Sequence, residues 1–156
     1  PQDFWCGKPH MAPLDHALHL QLGVFRDREA NWMNTDDAQT AMSHLRQFSA
    51  DGSPTFQSYH AASDPDSWRV LPSGTVGIPP VNSGYLALAH NYLVDRKLED
   101  KKDVHFWSLL GDSEFREGSL FEAITDFGER RLGNVTWILD YNRQSLDGTR
   151  LINNEA

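Results

Sequence analysis

The chain has 156 residues, 39% of them apolar and 23% charged, which is enough for one domain with a real core and is the balance of an ordinary soluble protein. A formal net charge of −8 argues against a nucleic-acid or anionic-membrane surface. The apolar runs fall far short of the ~20 residues of a membrane span, and no basic-then-apolar leader opens the sequence. The lone Cys6 excludes an internal disulfide framework and fits a reducing compartment, so a cytoplasmic location is expected. The chain starts with Pro and stops just after a motif-rich loop; a single domain over 1–156, as a fragment, a processed chain or one half of a split enzyme, is the expectation.

Residues 13–25 read as a helix, with Leu14, Ala17, Leu18 and Leu22 at helical spacing and Pro13 in the first turn. His16 and His19 lie on it as an i, i+3 pair. No carboxylate or Cys spacing completes a metal site with them, so they are expected to pack. Residues 31–35 form a turn. A second helix is predicted over 36–48, with Thr35 as N-cap and Ala41, Leu45 and Phe48 facing inward. Residues 50–83, rich in Ser, Pro, Gly and Asp, form a long loop of the kind that usually carries function. A helix follows over 81–98 with Tyr85, Leu88, Ala89, Tyr92 and Leu93 as its apolar face. A strand at 104–110, a helix at 118–132 with a Leu120, Ile124, Phe127 stripe, and a strand at 135–139 then make a βαβ unit. Both strands are continuously apolar, as in a parallel sheet covered on both faces, so the fold class is α/β with helices flanking a parallel sheet. The tryptophans Trp32, Trp68, Trp107 and Trp137 are expected to pack.

Asp112 follows the first of these strands and Asn142 the second. Ligands of open parallel sheets bind outside the carboxyl ends of strands. Neighbouring strand ends therefore offer one point a carboxylate, an amide oxygen and, from Gln144, a main-chain carbonyl, the hard oxygen donors Mg²⁺ prefers beside phosphate. Taken singly, Asp112 would serve as well as a helix cap and Asn142 as a turn residue; the strand-helix-strand frame is what favours a joint metal site. The stretch from Gly74 to Ser83 opens a helix and could meet an anion through unpaired N–H groups, or could be a proline-stiffened loop. Glu114, Glu117 and Glu122 could complement the dipole of the next helix. The sharper reading of Glu117 and Glu122 is a buried acid pair at a subunit contact.

Gly111-Asp112-Ser113 followed by Asn142 resembles the thiamine diphosphate motif, in which Gly-Asp-Gly precedes an Asn by about thirty residues. The segments Asp140–Gly148 and Leu151–Glu155, with Asp66–Arg69 and Thr75–Pro80, are similar to the dehydrogenase component of homodimeric pyruvate dehydrogenase complexes. Glu117–Ala123, Leu132–Asn134, Met11–Leu14 and Asn31–Asn34 resemble transketolase. The likeness to this superfamily is dense over 72–155 and loose before 60.

The resemblance implies a diphosphate-binding module. In it Asp112, Asn142 and the Gln144 carbonyl bind Mg²⁺, and Gly111, Ser113 and Glu114 line the diphosphate. Val76, Gly77 and Leu146 lie near the cofactor rings. Glu117 and Glu122 match an acidic network at a dimer contact, and His10 matches an active-site histidine. It further implies a pyrimidine-binding module or subunit as partner, a homodimer or heterotetramer, and a lipoyl-bearing acyltransferase as acyl acceptor. Three departures stand out. Ser113 replaces the second Gly, which would be strained where the backbone needs φ > 0. A strand and a Gly-His element expected after Asn34 are absent, about twenty residues in all. No residue matches the glutamate that activates the pyrimidine ring. Three functions follow: a thiamine diphosphate-dependent 2-oxo acid decarboxylating dehydrogenase component, a transketolase-like enzyme, or a degenerate assembly module without cofactor.

Overall fold

The computed structural model describes residues 3–27, 29–47, 56, 71, 73, 75–101, 103–145 and 148–149. Its centre is a parallel sheet of three strands in the order β1-β2-β3: β1 (Phe4–Cys6), β2 (Phe106–Gly111) and β3 (Val135–Asp140). Phe4 pairs in register with Phe106, and Phe106 with Val135. β1 was not expected. Three residues are too few for a periodic signal, and β1 forms because β2 offers it a parallel edge.

Successive side chains on a strand point to opposite faces. Phe4 stacks on Phe106 with ring centroids 5.2 Å apart, and Phe106 packs with Ala87 of helix α3 (Ile78–Asp95). Trp5 points the other way and donates its indole N–H to Asp15 of α1 (Ala12–Gln21) at 3.1 Å. Helices therefore cover both faces of the sheet, and the α/β fold expected from the sequence is the one observed. A satellite core of Phe25, Ala38 and Phe56 seals α1 against α2 (Thr35–Ser43). Asn34, not Thr35, caps α2: its side-chain oxygen accepts from the Asp37 N–H at 2.9 Å. Phe48 lies outside the described residues.

The helix expected over 81–98 starts three residues earlier, and its buried face is not the predicted one. Pro79, Pro80, Ser83, Gly84 and Ala87 are buried, whereas Tyr85, Tyr92 and Leu93 are exposed. The reason is close approach. A Cβ built on Gly84 would lie 2.0 Å from Cε2 of Phe127 on α4 (Gly118–Glu129), so small residues, not large apolar ones, face the interior. On α4, Leu120, Ala123 and Phe127 are buried, while Ile124 of the predicted stripe is exposed. β3 is less covered than its sequence suggests, with Ile138 and Leu139 exposed. Trp32 is exposed too, and the Arg26 guanidinium lies 4.1 Å from its ring centroid. Trp107 and Trp137 are half-buried, and Trp68 lies outside the described residues. A two-stranded antiparallel pair, β4 (Gln144–Ser145) and β5 (Gly148–Thr149), follows β3. Among the described residues no helix is long and apolar enough to cross a membrane.

Candidate functional site

All three parallel strands end on one side, and their C-terminal residues meet at a cavity of about 360 Å³. β1 delivers Lys8 and His10. β2 and the 3₁₀ turn after it, Asp112–Arg116, deliver Gly111, Asp112, Ser113, Glu114 and Arg116. β3 delivers Asn142, Gln144 and Ser145. Val76 and Glu117 close the rim. A larger, mainly apolar groove of about 530 Å³ lies between α4 and β3, lined by Ile124, Phe127, Leu132 and Trp137 with Arg131 the charged residue among its lining.

The loop after β3 is sewn to the β2 end. Asp112, 2% exposed, accepts the Arg143 N–H at its Oδ2 atom at 3.2 Å. The Ser113 hydroxyl donates to the Gln144 carbonyl at 2.7 Å. The Asn142 Oδ1 accepts the Gln144 N–H at 2.8 Å, while its Nδ2 donates to Asp140 at 2.9 Å. Arg143 holds φ at +57°, a left-handed conformation that costs an L-residue roughly 1–2 kcal/mol. Asp112, Asn142 and Gln144 are thus gathered by a built hydrogen-bond frame. Their donors are all oxygens, the chemistry of a hard cation, and the Gln144 carbonyl keeps a second lone pair beyond the one facing Ser113. Among the described residues no group of three or more His, Cys, Asp or Glu side chains is placed to hold a metal; the candidate set has a single carboxylate.

Ser113 is not strained. It is absent from the residues at positive φ and lies inside the 3₁₀ turn, so a side chain is tolerated there, and its hydroxyl positions Gln144. Glu114 lines the cavity, is 1% exposed and bonds two glycine amides, accepting Gly111 N–H at 2.8 Å and Gly77 N–H at 3.2 Å. Burial pushes its carboxyl above the ordinary range, opposed by those two donors and by the charges of Lys8 and His10. Gly77 has φ +86°, and a Cβ there would lie 2.7 Å from Cγ of Glu117. The start of α3 is therefore a poor anion site. The Gly77 N–H is taken by Glu114, and Pro79 and Pro80 have none.

His10 is exposed and lines the cavity. Glu117 sits at the rim, whereas Glu122 is on the exposed face of α4 outside the cavity, so within the chain the two do not form a buried pair. Leu146 and Gly74 lie outside the described residues. His16 and His19 are fully buried, and Trp5 packs edge-on to His19. Lys8 was missed by sequence reasoning. It is only 8% exposed, and its Nζ lies 3.4 Å from Asp140 Oδ2. A lysine just after a three-residue strand carries no sequence signal; its burial comes from the pairing of β1 with β2, which places Nζ across Gly111.

No family model matches the chain. Over 148 residues, 93% of the chain, it is 30% identical to the pyruvate dehydrogenase E1 component of Mycolicibacterium smegmatis and 28% identical to that of Mycobacterium tuberculosis. Over 84 residues, 54% of the chain, it is 34% identical to the pyruvate dehydrogenase E1 component of Cupriavidus necator. The chain spans 16% of the length of the two mycobacterial relatives and 9% of the third. It is thus similar to a segment of these pyruvate dehydrogenase E1 components.

Proposed function

We propose that this chain forms the diphosphate- and Mg²⁺-binding wall of a thiamine diphosphate-dependent 2-oxo acid decarboxylating dehydrogenase component. The observation that carries the reading is the convergence of Asp112, Asn142 and the Gln144 carbonyl at adjoining parallel strand ends, inside one cavity. The names of the relatives favour a dehydrogenase over transketolase-like ketol transfer. The degenerate-module reading loses one of its two motives, because Ser113 is unstrained and has a positioning role.

In this reading Asp112, Asn142 and the Gln144 carbonyl would hold Mg²⁺, which would supply positive charge beside the diphosphate. When bound, thiamine diphosphate supplies the nucleophilic carbon and the electron sink for loss of CO₂ from a 2-oxo acid. The chain's own residues bind and orient. Arg143 N–H and Ser113 Oγ hold the ligand loop on the β2 end. Lys8 and Arg116 bring positive charge to a cavity that Asp112, Glu114 and Glu117 would otherwise leave negative. The glutamate that activates the pyrimidine ring comes from a pyrimidine-binding module or subunit in a homodimer or heterotetramer, and the acyl unit passes to a lipoyl-bearing acyltransferase.

Calorimetry with thiamine diphosphate, with and without Mg²⁺, tests the reading. Mg²⁺-dependent binding that Asp112→Ala abolishes is the expected result. No binding in the presence of Mg²⁺ would refute it.

A further inference from the structure

Glu114 is the most deeply buried carboxylate at the cavity, and it makes a contact that no motif describes. Its two oxygens accept from backbone amides 37 and 3 residues away, those of Gly77 and Gly111. The shorter contact is half of a capping box, in which the third residue of the turn returns to its first N–H. The longer one crosses from the β2 end to the turn that opens α3. Gly77 is left-handed at φ +86°, and the next turn of α3 contains Pro79 and Pro80, which lack N–H groups. Glu117 covers Gly77 from the other side so closely that any Cβ would collide with it. The Val76–Gly77 wall is thus held between two acidic side chains, one accepting through its carboxylate and one packing through its aliphatic stem.

We propose that Glu114 is a positioning residue that pins the Val76–Gly77 turn to the end of β2 and so sets the wall facing the ring end of the cofactor, while the metal and phosphate end is set independently by Asp112, Asn142 and Gln144. This rests on the reading of the site given above. A carboxylate suits the task because it has two acceptor oxygens and no donor; an amide in its place would turn an N–H₂ group toward one of the two glycine N–H groups. By satisfying the Gly77 and Gly111 amides, Glu114 also withdraws them from any phosphate, leaving the anion to the metal and the cationic side chains.

The two ends of the ligand separate the outcomes. Binding of Mg²⁺-pyrophosphate reports the phosphate end, and binding of Mg²⁺-thiamine diphosphate reports both ends. In the full 156-residue chain, Glu114→Gln is expected to weaken thiamine diphosphate by ~10-fold or more, the usual effect of removing an outer-shell support, and pyrophosphate by less than about 3-fold. Hydrogen exchange at the Gly77 amide should accelerate in the same variant. Equal weakening of both ligands, or of neither, in a folded variant would overturn the positioning role and leave the site reading standing. Failure of the unmodified chain to bind either ligand with Mg²⁺ would overturn the site reading, and this one with it. Glu114→Asp, whose shorter stem cannot reach both glycines, carries the same comparison if Glu114→Gln does not fold.

Discussion

Replacing Asp112 in two ways separates its structural from its chemical part. Its carboxylate is 2% exposed and accepts the N–H of Arg143, a residue already held at φ +57°. Asp112→Asn keeps the shape and one acceptor oxygen, so that N–H stays satisfied and the variant should unfold within ~1 kcal/mol of the unmodified chain. Asp112→Ala removes the acceptor and leaves a part-buried N–H without it, at a cost of roughly 1–3 kcal/mol, with a small void added. In a domain of this size that is a fall in melting temperature of about 2–12 °C. Binding should follow the opposite logic. Both variants lose the single carboxylate of the candidate metal set, so both should lose Mg²⁺-dependent thiamine diphosphate binding by at least ~100-fold, or about 2.7 kcal/mol. Thermal melts and calorimetry on the same samples check both halves. Retained affinity in Asp112→Asn would refute the metal assignment. A melting temperature for Asp112→Ala equal to that of Asp112→Asn would refute the account of the Arg143 contact.

Gly84→Ala should destabilise the chain by roughly 1–3 kcal/mol, because its methyl meets the Phe127 ring at 2.0 Å; a melting temperature unchanged from that of the unmodified chain would show that α3 and α4 are not in the described contact. Asn34→Ala should cost about 1 kcal/mol through loss of the α2 cap, read by urea titration, while Thr35→Ala should cost less; the reverse order would return the cap to Thr35. Burial, and secondarily Asp15, push the Cys6 thiol up to about 12 from an ordinary value of 9.0, so it should resist iodoacetamide at pH 8 when folded and react once urea unfolds the chain. Because the folded value lies above the unfolded one, this thiol's contribution to stability is complete below pH 9.0 and drains as pH rises toward 12, at up to ~1.4 kcal/mol per pH unit. A stability profile flat across that range in the chain, or equally steep in Cys6→Ala, would contradict the burial.

Much of the scaffold was legible because its signals are local. Val104 to Leu139 carries two continuous apolar runs around one amphipathic helix, and that pattern alone dictates a βαβ unit with two strand ends on one side. The Asp112–Asn142 pairing follows from the same geometry, since parallel strands must end together. What stayed hidden depends on contacts between distant segments. The buried face of α3 is Pro80, Ser83, Gly84 and Ala87 because Phe127 leaves no room for Tyr or Leu, and a hydropathy pattern ranks those residues the other way. β1 is three residues long and exists by pairing with β2, which is why Lys8 went unnoticed although it is nearly buried at the site.

By itself, then, the sequence determined the α/β class, the strand ends and the candidate oxygen donors at them, all set by side-chain period and residue chemistry within some forty residues. Tertiary structure alone decided which way Glu114 faces, that Ser113 needs no positive φ, and that Lys8 reaches the cavity. A side chain's type is written in the chain, but the amide it bonds 37 residues away is chosen only when β2 and the start of α3 come together.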